Sequence, residues 1–376
     1  MFQTRIGQRK MKSHMLLVSL ALFAAGCVDS PIEDSAVDQI TAIPDFAQIE
    51  QTANSLAESS NFSGVMLVAK EGEVALNKGY GFAQVERELP NTEQTQFRIA
   101  SLSKTFTAAL VLQLAEEGKL ELDATVSDQL PEYKADYSRD VTLRHLLTHR
   151  SGISHYIDLP GWFDGTYAQT KDRQAFIDTV AALPLNSEPG TAFRYSNANY
   201  FLLGMIVEKA TGLSFEDALN ARIIGPLGLT STGHLSDATV LSDLAQNYIP
   251  DGSGGFVKGG PLNNNLFTAT ASMYSTSSDL LKWTNSFAEP GLLNANSLGM
   301  MLKPDDPIGW SVLGKTPEGD TVWAYNGEIE GYTSFVLLDP ASRTTVIVLD
   351  NKSAGFETIQ RISVELLTAS YADDAE

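Results

Sequence analysis

Cysteine is almost absent from this chain. Cys27 is the only one in 376 residues, so no internal disulfide can form and the hydrophobic core has to hold the fold. At 43% hydrophobic residues the chain has enough apolar material for that. Positive charge is also short: 26 Lys and Arg stand against 46 Asp and Glu, a formal net charge of −20. Such a surface repels phosphate backbones and anionic headgroups, which excludes nucleic acid as a partner. Histidine is scarce. After His14 only His145, His149, His155 and His234 remain. None follows His234, so a Ser–His–Asp triad built on the C-terminal strands is excluded. G-x-S-x-G, P-loop and H-E-x-x-H patterns are missing as well. His145 and His149 in "RHLLTH" have the one-turn spacing of metal ligands, but no third ligand stands near them in a recognisable pattern.

No apolar run is long enough to cross a bilayer. The longest at the N-terminus, Met15 to Ala25, follows Arg5, Arg9, Lys10 and Lys12 and ends in "FAAGC". This is the shape of a signal-peptide core over residues 1–27. The cysteine sits where a bacterial lipoprotein signal is cut and lipidated, so Cys27 is the expected lipidation site. A plain secretory signal with an incidental cysteine is the alternative. Initiation at Met1 and at Met11 both fit. Either way the expected location is extracytoplasmic, with the membrane touched only through the N-terminal anchor. Residues 28–43 are acidic and short of large apolar side chains, and read as a tether.

The domain itself is expected over residues 44–376. Phe46, Ile49, Ala53 and Leu56 have helical spacing, with Asp45 as N-cap. "GVMLVAKEGEVALNKGYGFAQ" reads as short strands with a turn at Lys70 to Glu73. Ser101 to Glu117 is a long apolar helix closed by Gly118. From about Leu120 to Leu266 short helical patches alternate with loops, and "VKGGPLNNN" reads as a surface loop. Strands return at Ile308–Leu313, Thr321–Tyr325, Thr333–Leu338 and Thr344–Leu349. A last amphipathic stretch aligns Phe356, Ile359, Ile362 and Leu366. Strands at both ends around a helical middle predict an α+β fold. Its antiparallel sheet would be flanked by N- and C-terminal helices (residues 44–125 and 265–376), with an inserted, mostly helical lobe over 126–264. A cleft between the two would hold the site.

Ser101 and Lys104 carry the first chemical signal, "SLSK". Residues three apart share a helix face. A serine in a first turn meets backbone N–H groups without intrahelical partners and the positive end of the dipole, which suits an oxyanion beside a serine nucleophile. Lysine serves as a base where burial or a second cation depresses its pKa. The second signal is "YSN": Tyr195 and Asn197 follow a Pro-Gly turn at a helix N-terminus.

These blocks together resemble the serine β-lactamase and penicillin-binding superfamily, in particular its class C branch, which includes D-Ala-D-Ala carboxypeptidases, D-aminopeptidases and family VIII esterases. "FRIASLSKTFTA" is similar to the S-x-x-K block and "FRYSNANYFLLG" to the Y-x-N block. "TLRHLLTHRSGI", "PLGLTST" and "MYSTSSDLLKW" resemble further stretches of it. The resemblance implies Ser101 as acylated nucleophile, Lys104 and Tyr195 sharing proton transfer, and Asn197 holding a substrate amide or positioning Lys104. It implies a β-lactamase-like fold, no cofactor and no metal, and a small-molecule or peptidoglycan-derived substrate. The third block departs: where relatives have K-T-G, H-x-G or W-x-G, this chain has Tyr325-Asn326-Gly327, followed by Glu328, whose backbone N–H is the implied second oxyanion donor. Lys315-Thr316-Pro317 lies in a turn and is a decoy. Without a cation at 325 a substrate carboxylate loses a charge-assisted bond of roughly 1.5–3 kcal/mol. An ester or neutral amide is therefore favoured over a β-lactam. The alternatives are a D-Ala-D-Ala carboxypeptidase and a weakly catalytic penicillin-binding sensor.

Overall fold

The structure is a computed structural model that describes residues 46–159, 173–236, 239–260, 262–288, 290–306, 308–316 and 319–371. The expected leader with Cys27, the tether, the Asp45 cap and Pro317 lie outside the described residues.

Strand β1 (Gly64–Lys70) turns both faces to a core. Val65, Leu67 and Ala69 join one apolar cluster while Met66 and Val68 join another, the period-2 alternation of a strand covered on both sides. Strand β2 (Glu73–Tyr80) pairs with it across the expected turn. Helix α1 (Phe46–Ser60) precedes them. Between β2 and the C-terminal strands run helices α2 (Ser103–Glu116), α3 (Leu143–Leu147), α4 (Asn197–Thr211) and α5 (Ser277–Asn285). Then come strands β3 (Ser311–Lys315), β4 (Thr321–Ile329), β5 (Tyr332–Asp339) and β6 (Thr344–Asp350), and helix α6 (Phe356–Tyr371).

The six strands form one antiparallel sheet in the order β3-β4-β5-β6-β1-β2. The N-terminal and C-terminal strands meet where β1 pairs with β6, Val65 opposite Leu349. One face packs on α1 and α6 through Ile49, Ala53, Ile359, Ile362 and Leu366. The other packs on α2, α5 and the helical region. There Trp283 of α5 stacks on Phe106 of α2 with ring centroids 4.0 Å apart. This is the α+β architecture the strand order predicts.

Three local differences matter. The long apolar helix starts at Ser103, and Ser101 lies in a preceding 3₁₀ turn, Ala100–Leu102. The carbonyls at its start receive side chains as well as backbone: Ile99 O accepts from Leu102 N–H and Ser334 Oγ, and Ala100 O from Ser103 Oγ. The strand expected to end at Tyr325 continues to Ile329, so Tyr325-Asn326-Gly327 lies within a strand. The "VKGGPLNNN" stretch is a surface only at its start, since Asn263 and Asn264 are buried and Asn264 Oδ1 accepts from the Arg98 guanidinium at 2.6 Å.

Candidate active site

The chain approaches Ser101 under constraint. Ala100 has a left-handed backbone (φ +48°), a conformation that costs a non-glycine residue energy and tends to occur at functional positions. Contacts from two sides hold it: Ile99 N–H donates to Met273 O at 3.0 Å, Met273 N–H donates to Ser103 Oγ at 3.2 Å, and Ser334 of β5 reaches Ile99 O at 2.8 Å. Gly327 of β4 lies directly over the same segment. A Cβ there would fall 2.3 Å from Ile99 O and 2.7 Å from Ser101 N, so only glycine lets the strand come this close.

Ser101, Lys104 and Tyr195 come together. Lys104 Nζ donates to Ser101 Oγ at 3.0 Å, and Ser101 Oγ and Tyr195 OH share a hydrogen bond of 2.8 Å. Lys104 is fully buried; its second partner is the Thr270 carbonyl, 2.8 Å away, and it lies over the Tyr195 and Tyr200 rings at 5.0 and 5.9 Å. Ser101 and Tyr195 are half-buried and border on solvent. The arrangement thus has an accessible hydroxyl backed by an amine and a phenol.

Asn197 opens helix α4, where Ser196 is the N-cap through its side chain to Ala198 N–H. Asn197 is buried, and its Oδ1 makes no hydrogen bond. Tyr325 has only 7% of its surface exposed. It begins an aromatic chain through Trp310, Phe287 and Trp283 to Phe106, with successive centroids 6.2, 5.4, 5.0 and 4.0 Å apart. Asn326 is half-buried opposite Phe335, and Glu328 is exposed opposite Thr333. Partial desolvation pushes the Glu328 carboxyl above its ordinary range.

Two histidines border the phenol. The Tyr195 ring stacks on His149 at 4.4 Å and stands 5.7 Å from His155. Burial holds both imidazoles neutral, His149 well below its ordinary value and His155 at about 3, and the nearby Lys104 charge adds to the effect. His145 and His149, the pair at metal-ligand spacing, have no third candidate ligand near them among the described residues, and each uses its Nδ1 as an acceptor. Thr142 N–H donates to His145 Nδ1 in the cap of α3, and Ser196 N–H donates to His149 Nδ1. Thr270 and Ser334 escaped sequence reasoning, and His149 was singled out there only for its metal-ligand spacing to His145, not for its place beside Tyr195.

A family model described as Beta-lactamase matches residues 49–369. Protein flp of Staphylococcus aureus (strain N315) is 29% identical over 308 residues, 77% of this chain, and the chain spans only 60% of that relative's length. Penicillin-binding protein 4* of Bacillus subtilis (strain 168) is 29% identical over 332 residues, 82% of this chain and 72% of that protein. The octameric penicillin-binding protein homologue from Pyrococcus abyssi superposes with a TM-score of 0.76 at 26% identity, covering 86% of this chain and 76% of that one. The chain belongs to the Beta-lactamase family, and its sheet with flanking terminal helices is the fold of that family's serine hydrolases.

Proposed function

We propose that this chain is an exported serine hydrolase that cleaves an ester, amide or β-lactam bond through an acyl-enzyme on Ser101. The observation that carries the reading is the pair of contacts on one oxygen: Ser101 Oγ lies 2.8 Å from Tyr195 OH and 3.0 Å from Lys104 Nζ. As Oγ attacks a carbonyl carbon its proton must leave, and the leaving group must later gain one. The Lys104–Tyr195 pair is within reach for both transfers, with either member as the base. Water then attacks the ester on Ser101 and frees the enzyme. The carbonyl oxygen would receive the backbone N–H groups of Ser101 and Glu328. The second assignment is supported by the β4–β5 register. The turn at Glu330-Gly331 sets Ile329 opposite Tyr332, so alternate residues, Glu328 among them, direct their N–H groups away from β5. Asn197, with its Oδ1 unused, would hold a substrate amide.

Tyr325 bears on the substrate. Where relatives often place a cation, this chain places a core aromatic. Arg98, the cation three residues before Ser101, is itself buried on Asn264. Both facts favour an ester or neutral amide over a substrate with a carboxylate beside the scissile bond. A second reading, a D-Ala-D-Ala carboxypeptidase or penicillin-binding sensor, draws on relatives named as penicillin-binding proteins. The leader favours export with a lipid anchor at Cys27, the alternative being a plain secretory signal with an incidental cysteine.

The test is turnover of p-nitrophenyl esters, a chromogenic cephalosporin and a D-Ala-D-Ala peptide by the purified protein and by Ser101→Ala. The account expects the esters to turn over fastest and Ser101→Ala to lose about a thousandfold or more. Turnover that survives Ser101→Ala would remove the mechanism. Cephalosporin turnover faster than that of the esters would remove the argument from Tyr325.

A further inference from the structure

His149 belongs to none of the roles above, yet it touches the chain on both sides of Tyr195. Its backbone carbonyl accepts from Arg194 N–H at 2.7 Å, and its ring Nδ1 accepts from Ser196 N–H at 3.2 Å. Between those bonds the imidazole lies against the Tyr195 phenol, 4.4 Å between centroids and 30° between planes. The residues before and after Tyr195 are thus both tied to one histidine, whose ring supports the ring between them. The backbone of His149 is left-handed (φ +53°), so a strained conformation is maintained at this junction.

The protonation state follows from the partners. Ser151 Oγ donates to Asn199 Oδ1 at 2.5 Å, which leaves Asn199 Nδ2 as a donor, 3.1 Å from His149 Nδ1. Nδ1 therefore receives two donors and carries no hydrogen, so the ring proton is on Nε2. Burial keeps the imidazole from gaining a second proton, which would have to sit on Nδ1 and break both bonds. Gly152 fixes the same corner: it has φ +75°, and a Cβ there would fall 2.0 Å from Ser187 O. The "THRSGI" stretch thus gains a physical content, with His149 as the support, Ser151 orienting Asn199, and Gly152 permitting the turn.

We infer that His149 is a positioning residue that holds the Tyr195 hydroxyl at hydrogen-bonding distance from Ser101 Oγ, acting as an Nδ1 acceptor and stacking surface. The inference rests on the proposed role of Tyr195 in proton transfer. A phenol displaced by a fraction of an ångström disturbs the Lys104–Tyr195 pair that handles the Ser101 proton, so the loss should appear in kcat and leave KM nearly unchanged.

A double-mutant cycle on the whole protein separates this from simple packing. His149→Phe keeps an aromatic surface and removes the Nδ1 acceptor. His149→Asn keeps an acceptor near the same place and tolerates the left-handed backbone. With a p-nitrophenyl ester, His149→Phe is expected to lower kcat about 10- to 100-fold with KM within about threefold. His149→Asn should recover part of that loss. In a Tyr195→Phe background, His149→Phe should cost less than about twofold, because the hydroxyl it positions is gone. Equal losses in both backgrounds, or no loss in the native one, would overturn the inference. If His149→Phe does not fold, the same cycle is run with His149→Asn, and an equal loss with and without the Tyr195 hydroxyl overturns it just as well. Tyr195→Phe with undiminished kcat would instead count against the proton-transfer reading, which this cycle reads separately.

Discussion

Gly327 is where sheet and nucleophile meet, and one methyl group there reports on how tightly they fit. The Cβ of an alanine would lie 2.7 Å from Ser101 N and 2.3 Å from Ile99 O, both backbone atoms that cannot swing away. Gly327→Ala is expected to lower kcat/KM by about 100-fold or more, through displacement of the oxyanion donors. A steady-state assay beside a melting curve checks it, and near-native kcat/KM would contradict the geometry. Ser196 offers a milder perturbation. Its hydroxyl caps α4 and also donates to Ser154 O at 3.0 Å. Ser196→Ala should cost about 1 kcal/mol of stability by chemical denaturation, with kcat falling in parallel because the residue adjoins Tyr195. At this scale the sequence was informative where roles are local. Ser101 and Lys104 share one turn, and Tyr195 and Asn197 share one loop. It was silent on Thr270 and Ser334, which act by presenting a carbonyl or by donating to one. Any residue type supplies the first, and the second depends on strand register. Tyr325 was legible as a departure, but its burial depends on Trp310 and Phe287, which only the fold brings near.

Among the elements, α5 joins the sheet to the nucleophile's helix. Trp283 is fully buried, stacks on Phe106 of α2 and donates its indole N–H to Thr105 Oγ1 at 3.1 Å. Trp283→Ala would leave a large cavity and remove the hydrogen bond to Thr105, and should destabilise the protein by about 3–5 kcal/mol. Urea denaturation measures it as a lower midpoint at unchanged slope. A loss below about 1 kcal/mol would mean that α5 is not part of the same cooperative core. The pairing of β1 with β6 was readable in advance, since strands at both ends of a chain with a helical middle close most simply into one sheet. The 3₁₀ turn at Ala100–Leu102 was not, because the left-handed Ala100 and the contact from Ser334 of β5 leave no mark on the apolar pattern. The buried end of the "VKGGPLNNN" stretch was missed for a related reason: glycine, proline and asparagine signal loops, but Arg98 needs an acceptor inside, and Asn264 supplies it.

For the molecule as a whole, one buried carboxyl ties stability to pH. Asp350 closes β6 with no exposed surface, and its Oδ2 has no hydrogen-bond partner. Burial pushes its pKa up to about 7, against the lowering effect of the Lys352 and Ala354 backbone N–H groups and of the Lys352 charge. The folded pKa is raised, so the contribution of Asp350 is fully present below the unfolded carboxylate range near pH 4 and is lost as pH rises through about 7. The loss is on the order of a few kcal/mol. Asp350→Asn should therefore gain stability relative to the native chain between pH 5 and pH 8, since the buried histidines act alike in both, and an unchanged difference between the two proteins would contradict the raised pKa of the buried carboxyl. The central claim concerns the covalent step, in which the sheet edge at Gly327, the turn at Ala100 and the Lys104–Tyr195 pair converge on one oxygen. Rapid quenching in acid during turnover of a p-nitrophenyl ester, followed by intact-mass measurement and peptide mapping, tests it most directly. The account predicts one acyl group per chain, carried by the peptide containing Ser101 and absent from Ser101→Ala. Turnover with no covalent adduct, or an adduct on another residue, would contradict it.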